Sequence, residues 1–417
     1  MAAEYPYKIT MLPVKHGDCF FLEFGNEENA FRMLIDGGPI GGKEELFKLL
    51  DKLEDKHQMI DVLVVTHYDS DHIEGVLKLL EEPRYSALVR EVWHNGLKEI
   101  APNLRKHASG LEEKVYKQVI GDHYMPPLPD DCLEDGEEEI SEKQSLQLAM
   151  LLDQQHKTVN SITGGQVINA ETPDCTLGPS KDVEVFFLLP EQKALDRLLK
   201  EFRAELEKKC PNSDATLTAY CREAFDYFMH NVDEPECGEQ EIGFEHLTID
   251  QIPKLAAGPC MASDSSHTNK ASIALIIRYH GKKFLFPGDA HASPLVRALK
   301  SWQEKTGEDL HFDVIKLPHH GSKGNCFRLL EKSELDGDMF LVSTNGDIFD
   351  HPDAEVLAKV VCRGPGPQPR RSLLFNYASE AYAFFLNDDA QKTYNYSAEY
   401  RCTITDTEGD SDDRDFK

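Results

Sequence analysis

Short apolar runs alternate with glycine-, proline- and acid-bearing turns along most of the chain. Residues 7–14, 19–24 and 31–35 have the composition of paired strands. The same pattern predicts further strands at 62–65, 87–93, 183–189, 271–279, 283–287, 314–317 and 339–343, and the last ones within 372–405. Helices are predicted at 44–53, 73–80, 141–154, 191–208, 214–230 and 353–361. The piece at 141–154 carries charged residues.

Many short strands with interspersed helices, in two similar halves around an irregular middle, predict an α/β fold. We expect a sandwich of two mixed β-sheets that pack face to face and are flanked by helices. Residues 1–405 then form a single domain, with a helical insertion at 191–265 between two strands. Insertions at such places often form lids or partner surfaces. The acid-rich residues 406–417 are expected to be a disordered tail.

The composition indicates in which compartment the protein works and which ligands it can bind. The 417 residues carry 74 acidic against 45 basic side chains, a net charge of −29 that argues against binding along extended duplexes. Binding of a small phosphate ester or of the end of a nucleic-acid strand is compatible with this net charge, because a metal centre supplies local positive charge. Ten cysteines without a C-x-x-C pair favour reduced thiols. No apolar run approaches the ~18 residues of a membrane span, and residues 1–8 lack a secretory signal, so we expect a cytoplasmic protein.

The segment after the strand at 62–65 has the densest candidate chemistry. His67, Asp69 and Asp71 alternate, and an extended backbone would place them on one side, with His72 opening the next element. Imidazole and carboxylate groups together are the usual ligands of Zn, Mn and Fe. The sequence therefore predicts a metal site at this strand end.

Three further clusters stand at predicted strand ends. Asp289 follows an apolar strand and Gly288, a suitable position for a carboxylate that bridges two metals. His319 and His320 follow Pro318, and His351 precedes a proline, where a histidine can also simply cap a helix.

Together these clusters resemble the metallo-β-lactamase superfamily, whose first motif is H-x-H-x-D-H at a strand end, followed by a G-D strand end and a late histidine. The subgroup that the chain resembles most is the hydrolase domain of ComEC-type competence proteins. The shared pattern runs in order over roughly residues 7–100 and 183–405: Gly17-Asp18, Ile35 to Gly38, Asp71-His72 with Gly75, Asn269 with Ser272 and Ile273, Gly288-Asp289, His319 to Ser322, and His351-Pro352. Asp69 departs from the pattern because it stands where the superfamily has a second histidine.

The resemblance implies two divalent metal ions, and zinc is the metal it implies first. Manganese and iron are the alternatives, because the extra carboxylate of Asp69 makes the site harder. It implies that His67, Asp69 and His267 hold one metal, that Asp71, His72 and His319 hold the other, and that Asp289 bridges them. His267 is the nearest match by position to the missing third histidine; His94 and His123 are alternatives. His319 is preferred over His320 because it stands two residues before the glycine.

Catalytic roles follow from the same resemblance. Asp71 would orient the attacking water, and His320 or His351 would protonate the leaving group or bind its charge. Asp18 and Asp36 are expected to accept hydrogen bonds from ligand histidines or loop amides. Lys316 and Lys323 flank the histidine pair; each either meets a phosphate or, as lone lysines more often do, is simply solvated.

The leading hypothesis is a metal-dependent hydrolase, a phosphodiesterase or nuclease, acting on a nucleotide, a nucleic-acid end or a small-molecule ester. One alternative is a lactonase or thioesterase that acts on a small molecule, towards which the acidic composition leans. Another is a non-catalytic metal-bound protein that binds a protein partner through the 191–265 insertion.

Overall fold

The structure, a computed structural model, describes residues 5–100, 148–209, 247–258, 263–347, 351–362 and 371–406. Two sheets lie within these ranges, and the chain completes most of the first before it starts the second. The first sheet has the order β15-β1-β2-β3-β4-β5-β6, and the second has the order β14-β13-β12-β11-β10-β9-β8-β7.

The strands of the first sheet are β1 Tyr7–Met11, β2 Phe20–Phe24, β3 Phe31–Ile35, β4 Ile60–Val64, β5 Val89–Trp93, β6 Thr158–Val159 and β15 Thr403–Thr405. Those of the second are β7 Cys175–Leu177, β8 Val183–Leu189, β9 Ala274–Tyr279, β10 Lys282–Phe286, β11 His311–Lys316, β12 Asp336–Val342, β13 Arg371–Phe375 and β14 Tyr396–Tyr400. Both sheets are mixed, with antiparallel pairs such as β1–β2 and β9–β10 and parallel runs β3 to β6 and β10 to β14.

The helices are α1 Lys43–Asp55, α2 Ser70–Glu81, α3 Pro83–Ser86, α4 Leu97–Ile100, α5 Leu148–Gln154, α6 Gln192–Lys209, α7 Ile252–Ala257, α8 His267–Lys270, α9 Ala292–Thr306, α10 Lys323–Lys332, α11 Ala354–Val361 and α12 Asp388–Tyr394. Short 3₁₀ turns occur at Ile40–Gly42, Ser161–Thr163, Ile249–Gln251, Pro318–Gly321 and Glu380–Leu386.

The apolar core forms three layers, as the patterning requires. Between the sheets, inward residues of both interdigitate, for example Phe20 against Phe286 with ring centroids 5.4 Å apart. Helices α1 to α6 pack on the outer face of the first sheet. Helices α7, α9, α10, α11 and α12 pack on the outer face of the second. The predicted sandwich of two mixed sheets flanked by helices is confirmed.

The parallel strands determine where the chemistry gathers. In a parallel run all carboxyl ends meet at one edge, and loops there converge on a shared crevice. Asp36 follows β3, His67 follows β4, Asp289 follows β10 and Ser343 follows β12. These loops of both sheets meet, as the hydrogen bonds below show.

The predicted helices are confirmed only in part. The insertion begins and ends with helices, since α6 and α7 lie at 192–209 and 252–257, but the helix predicted at 214–230 lies outside the described residues. The first turns of α6 pack Leu195 and Leu198 on the core of the first sheet. Helices α9 and α10 were not predicted. Within the described ranges, no helix is both long and apolar enough to cross a membrane.

Candidate metal centre

The first motif divides between a loop and a helix. Strand β4 ends at Val64, and α2 begins at Ser70 with Asp69 as its N-cap, so Asp71 and His72 lie in the first helical turn. The expected alternation of His67, Asp69 and Asp71 along an extended backbone is therefore wrong beyond Asp69. The helical turn instead directs Asp71 and His72 into the crevice between the sheets, where both are buried.

Asp71, His72, Asp289 and His320 form a compact buried cluster. One potential ligand atom of each lies within 4.8 Å of those of the others. His72 Nε2 is 3.2 Å from Asp289 Oδ2. His320 Nε2 is 2.9 Å from Asp71 Oδ2 and 3.6 Å from Asp289 Oδ2. Two imidazoles and two carboxylates from opposite halves of the chain therefore face one point.

Each histidine of the cluster is oriented by a hydrogen bond at its other ring nitrogen. His72 Nδ1 lies 2.9 Å from Asp36 Oδ2, and His320 Nδ1 lies 2.7 Å from the carbonyl oxygen of Ser343. Both partners are acceptors, so Nδ1 carries a proton in each ring, and Nε2 would present a lone pair to the cluster once the ring is neutral. Metal-binding histidines are commonly held in this way.

The carboxylates also control protonation. Burial alone would lower the pKa of His320, but Asp289, Asp18 and a hydrogen bond to Asp71 raise it to about 10. The pKa of His72 is likewise held above its usual value, because Asp289 and Asp71 outweigh the burial. Without a cation, protons on the two imidazoles offset the negative charge of the carboxylates. A divalent cation bound at this point would displace those protons.

Asp36 ties the motif to the first sheet. Its Oδ1 accepts a hydrogen bond from the Thr66 amide at 2.8 Å, and its Oδ2 accepts one from the Thr66 hydroxyl at 2.6 Å. The same Oδ2 meets His72 Nδ1, so one carboxylate positions both sides of the loop. Asp36 thus occupies the supporting place that the sequence predicts for it.

Lys316 corrects an expectation. It is 1% exposed rather than solvated, and its Nζ donates to Asp289 Oδ1 at 2.9 Å and to the Gly288 carbonyl at 3.2 Å. It also forms an ion pair with Asp18, which comes from the first half of the chain. Asp18 and Asp289 raise the pKa of Lys316 against the effect of burial, so the lysine stays charged. Lys323 is different: it pairs with Glu355 at 3.0 Å.

His319 lies at the rim of the cluster. Its Nε2 is 3.9 Å from Asp289 Oδ2, and its Nδ1 is 3.2 Å from Asn325 Oδ1. Its side chain is 16% exposed, whereas that of His320 is 1% exposed. Both residues have the left-handed backbone conformation, with φ of 47° and 53°, a strained arrangement that functional sites tolerate.

His351 and Gly321 close the same side. The ring of His351 lies 5.3 Å from that of His319, centroid to centroid, and burial keeps the pKa of His351 well below its usual value. Gly321 has φ of +94°, and a Cβ there would lie 2.7 Å from Pro352 Cβ. Only glycine lets the histidine loop approach the 351–352 segment so closely.

The remaining predicted ligands diverge. His67 lies beside the cluster, with its ring 4.1 Å from that of His72 and its Nε2 3.5 Å from Asp69 Oδ2. The structure does not bring His267 to this group, because its Nε2 pairs with Glu201 of α6 at 3.3 Å. His94 is buried with its Nδ1 3.1 Å from the Tyr68 hydroxyl. His123 lies outside the described residues.

The donor set suits divalent cations. Four buried donors converge in the compact cluster, and clustered buried acids are costly unless a counter-charge compensates them. His67 Nε2 is buried and has Asp69 Oδ2 at 3.5 Å, but it makes no hydrogen bond within the described ranges, although buried polar atoms rarely go without one. Imidazole and carboxylate are ordinary ligands of Zn, Mn and Fe. The residues therefore fit a metal centre.

A supporting layer behind His319 had not been predicted. Asp264 Oδ2 accepts hydrogen bonds from Asn325 Nδ2 at 2.8 Å and from Asn269 Nδ2 at 2.9 Å. Asn325 also donates to the carbonyl oxygen of Asp289 at 2.9 Å. Asp264 stands in a polar stretch with no strand or helix pattern of its own, so no local signal distinguishes it from a loop residue.

Comparison with known proteins agrees with this architecture. The family model of the metallo-β-lactamase superfamily matches residues 12–150, which carry the first motif. The resemblance to the superfamily is confirmed there, whereas the closer likeness to ComEC-type proteins stays a prediction. No curated protein matches the chain significantly.

Two of the solved structures that match the chain do so with low scores. The metallo-β-lactamase fold protein YhfI from Bacillus subtilis is 10% identical, with a TM-score of 0.35 over 96% of this chain and 100% of that one. CmlA, a diiron β-hydroxylase from Streptomyces venezuelae, is 14% identical, with a TM-score of 0.36 over 97% of this chain and 54% of that one. Scores this low do not bear on function.

Proposed function

We propose that this protein is a metal-dependent hydrolase with two divalent cations and that it cleaves phosphodiester bonds. The observation that carries the proposal is the compact cluster of Asp71, His72, Asp289 and His320, whose donor atoms all lie within 4.8 Å of one another. Both half-chains contribute to it, and both histidines are oriented with Nε2 towards it.

The distances change which histidine we assign as a ligand. His320 Nε2 is 2.9 Å from Asp71 Oδ2, so we assign His320, with Asp71 and His72, to one cation position. His67 and Asp69 would hold the other cation, and Asp289 lies where it could serve both positions. Cations so held would supply a water of lowered pKa and would polarise the reacting centre.

The other side chains would work on the substrate. His319 has an Nε2 at the rim of the cluster and a partly exposed side chain, so we assign it the protonation of the leaving group. His351 lies against His319 and is kept neutral by burial, which suits it to orient that ring. Lys316 holds Asp289 in place and does not reach solvent.

Phosphodiesters are favoured by the resemblance to ComEC-type hydrolase domains. The net charge of −29 restricts the substrate to a nucleotide, a strand end or another small ester, because long polyanions would be repelled. The alternatives remain a small-molecule lactonase or thioesterase and a metal-bound interaction protein.

The test uses metal-stripped protein reloaded with Zn²⁺ or Mn²⁺ and offered bis-p-nitrophenyl phosphate, a lactone and a thioester. We expect hydrolysis of the phosphodiester only after reloading and its loss in Asp71→Ala. His311→Gln is the matched control, because His311 pairs with Asp338 at the far end of β11. Turnover of the lactone or thioester alone would replace the phosphodiesterase assignment, and metal binding without any turnover would favour the interaction protein.

A further inference from the structure

Three buried polar atoms, one in the first motif and two in the 269–272 segment, make no hydrogen bond within the described ranges. They are His67 Nε2, Asn269 Oδ1 and Ser272 Oγ. These residues are 2%, 3% and 0% exposed. Buried polar atoms nearly always have a hydrogen-bond partner, so a bound ligand could supply one to each of these atoms. His67 Nε2 also has Asp69 Oδ2 at 3.5 Å.

The 269–272 segment lies alongside both strand ends that carry ligands. A Cβ on Gly288 would be 3.2 Å from Thr66 Cβ and 3.4 Å from Ser272 Cβ, so these three residues meet. The Ile273 amide donates to the Thr66 carbonyl at 2.9 Å. Thr66 directly precedes His67, and Gly288 directly precedes Asp289. Ser272 is therefore on the wall of the crevice beside Thr66, and Asn269 lies one turn before it, since the Ser272 amide donates to the Asn269 carbonyl at 3.1 Å.

The amide of Asn269 has a fixed orientation. Its Nδ2 donates to Asp264 Oδ2 at 2.9 Å, so its Oδ1 must face away from Asp264. Asp264 is itself held by Asn325, which also binds the Asp289 carbonyl. The Asn269 oxygen is thus presented by a network anchored to Asp289, and no other described residue uses it.

We infer that Asn269 Oδ1 is the third protein ligand of the cation held by His67 and Asp69, and that this position takes a hard, oxygen-preferring divalent cation such as Mn²⁺. The inference rests on the proposed function, because it requires a cation at His67. One imidazole with a carboxylate and an amide oxygen is a harder set than the nitrogen- and sulfur-rich sets typical of zinc. The Ser272 hydroxyl offers a further oxygen on the same wall.

The experiment measures cation binding without substrate. The full chain is stripped with a chelator and titrated with Mn²⁺, and the free ion is followed by electron paramagnetic resonance; Zn²⁺ is titrated in competition. In the wild type we expect two bound Mn²⁺ per chain. Asn269→Ala should weaken one of them by at least about tenfold and leave the other unchanged. Asn29→Ala is the control, because Asn29 is exposed in the β2–β3 turn.

A second variant keeps the inference testable if Asn269→Ala does not fold. Asn269→His introduces a nitrogen donor, so the ratio of Zn²⁺ to Mn²⁺ affinity at the weakened position should rise by at least about tenfold. The inference is overturned by a wild type that binds one Mn²⁺, by wild-type affinities in Asn269→Ala, or by an unchanged ratio in Asn269→His. A wild type that binds two ions but hydrolyses no phosphodiester would overturn the proposed function alone.

Discussion

The imidazole of His72 and the carboxylate of Asp36 are joined by a 2.9 Å hydrogen bond between Nδ1 and Oδ2, and both side chains are fully buried. The same Oδ2 accepts from the Thr66 hydroxyl. The bond determines which nitrogen of His72 faces Asp289, so Asp36 should influence metal affinity without touching the metal.

We therefore expect Asp36→Asn to bind metal about tenfold to a hundredfold more weakly, because an amide cannot accept at both oxygen positions. Competition with a chromogenic chelator measures the loss. Asp61→Asn is the control, since Asp61 accepts from the Arg32 amide in the same sheet and does not contact the cluster. Equal affinities in Asp36→Asn and the wild type would contradict the assigned role.

Neighbouring histidines should have separable effects. His320→Ala removes a donor from the compact cluster, so the purified protein should lose bound metal and activity together. His319→Ala removes a rim group, so we expect retained metal and at least about a hundredfold lower kcat. Metal content by mass spectrometry, measured beside kcat, distinguishes the two. Metal loss in His319→Ala with retention in His320→Ala would reverse our assignment.

Lys316 should matter for stability as well as for the site. Lys316→Met leaves Asp18 and Asp289 buried without their counter-charge, and breaking a buried ion pair costs about 3–5 kcal/mol. Urea unfolding of the metal-free protein measures this loss. Adding Asp18→Asn to Lys316→Met should restore part of it, because one uncompensated charge is removed. A single variant as stable as the wild type would show that the pair contributes nothing.

Asp353 predicts a pH dependence in the metal-free protein. Burial raises its pKa from 3.8 to about 6, despite a hydrogen bond from the Lys323 amide. The folded state therefore holds the proton more tightly than the unfolded state, so stability falls as the pH rises from about 4 to about 6. The expected loss is about 2–3 kcal/mol.

Asp353→Asn lacks that titration. Its unfolding free energy relative to the wild type should increase by about 2 kcal/mol between pH 4.5 and pH 7, because the first part of the loss has already occurred at pH 4.5 and the other titrating groups cancel in the difference. Urea unfolding at both pH values checks this. A difference that stays constant with pH would refute the assignment to Asp353.

Much of the site could be predicted because its signals are local. The strand at 62–65 and the residues after it are adjacent in sequence, and parallel strands bring their carboxyl ends together. The stripe of Leu295, Leu299 and Trp302 has helical spacing and would also have predicted α9. Element positions follow from such short patterns.

The rest depends on partners that are distant in sequence. Lys316 is buried because Asp18, from the other sheet, reaches it. Which of the two histidines, His319 or His320, faces the cluster depends on their left-handed backbone conformation and on the hydrogen bond of His320 to the Ser343 carbonyl. No sequence motif encodes either feature. His267 was assigned to the metal only because of its position in the sequence. In the structure its imidazole pairs with Glu201 on α6 instead.

Strand β15 pairs with β1, matching Thr403 to Thr10 and Ile404 to Ile9, so one edge of the first sheet is completed by some of the last described residues. During synthesis, β1 is made long before β15, because all the residues between 11 and 403 are made in between. Until then its free edge can pair with any other strand, which makes nascent copies vulnerable to aggregation. Chaperone dependence during translation should therefore be relieved only once residues 403–405 have left the ribosome.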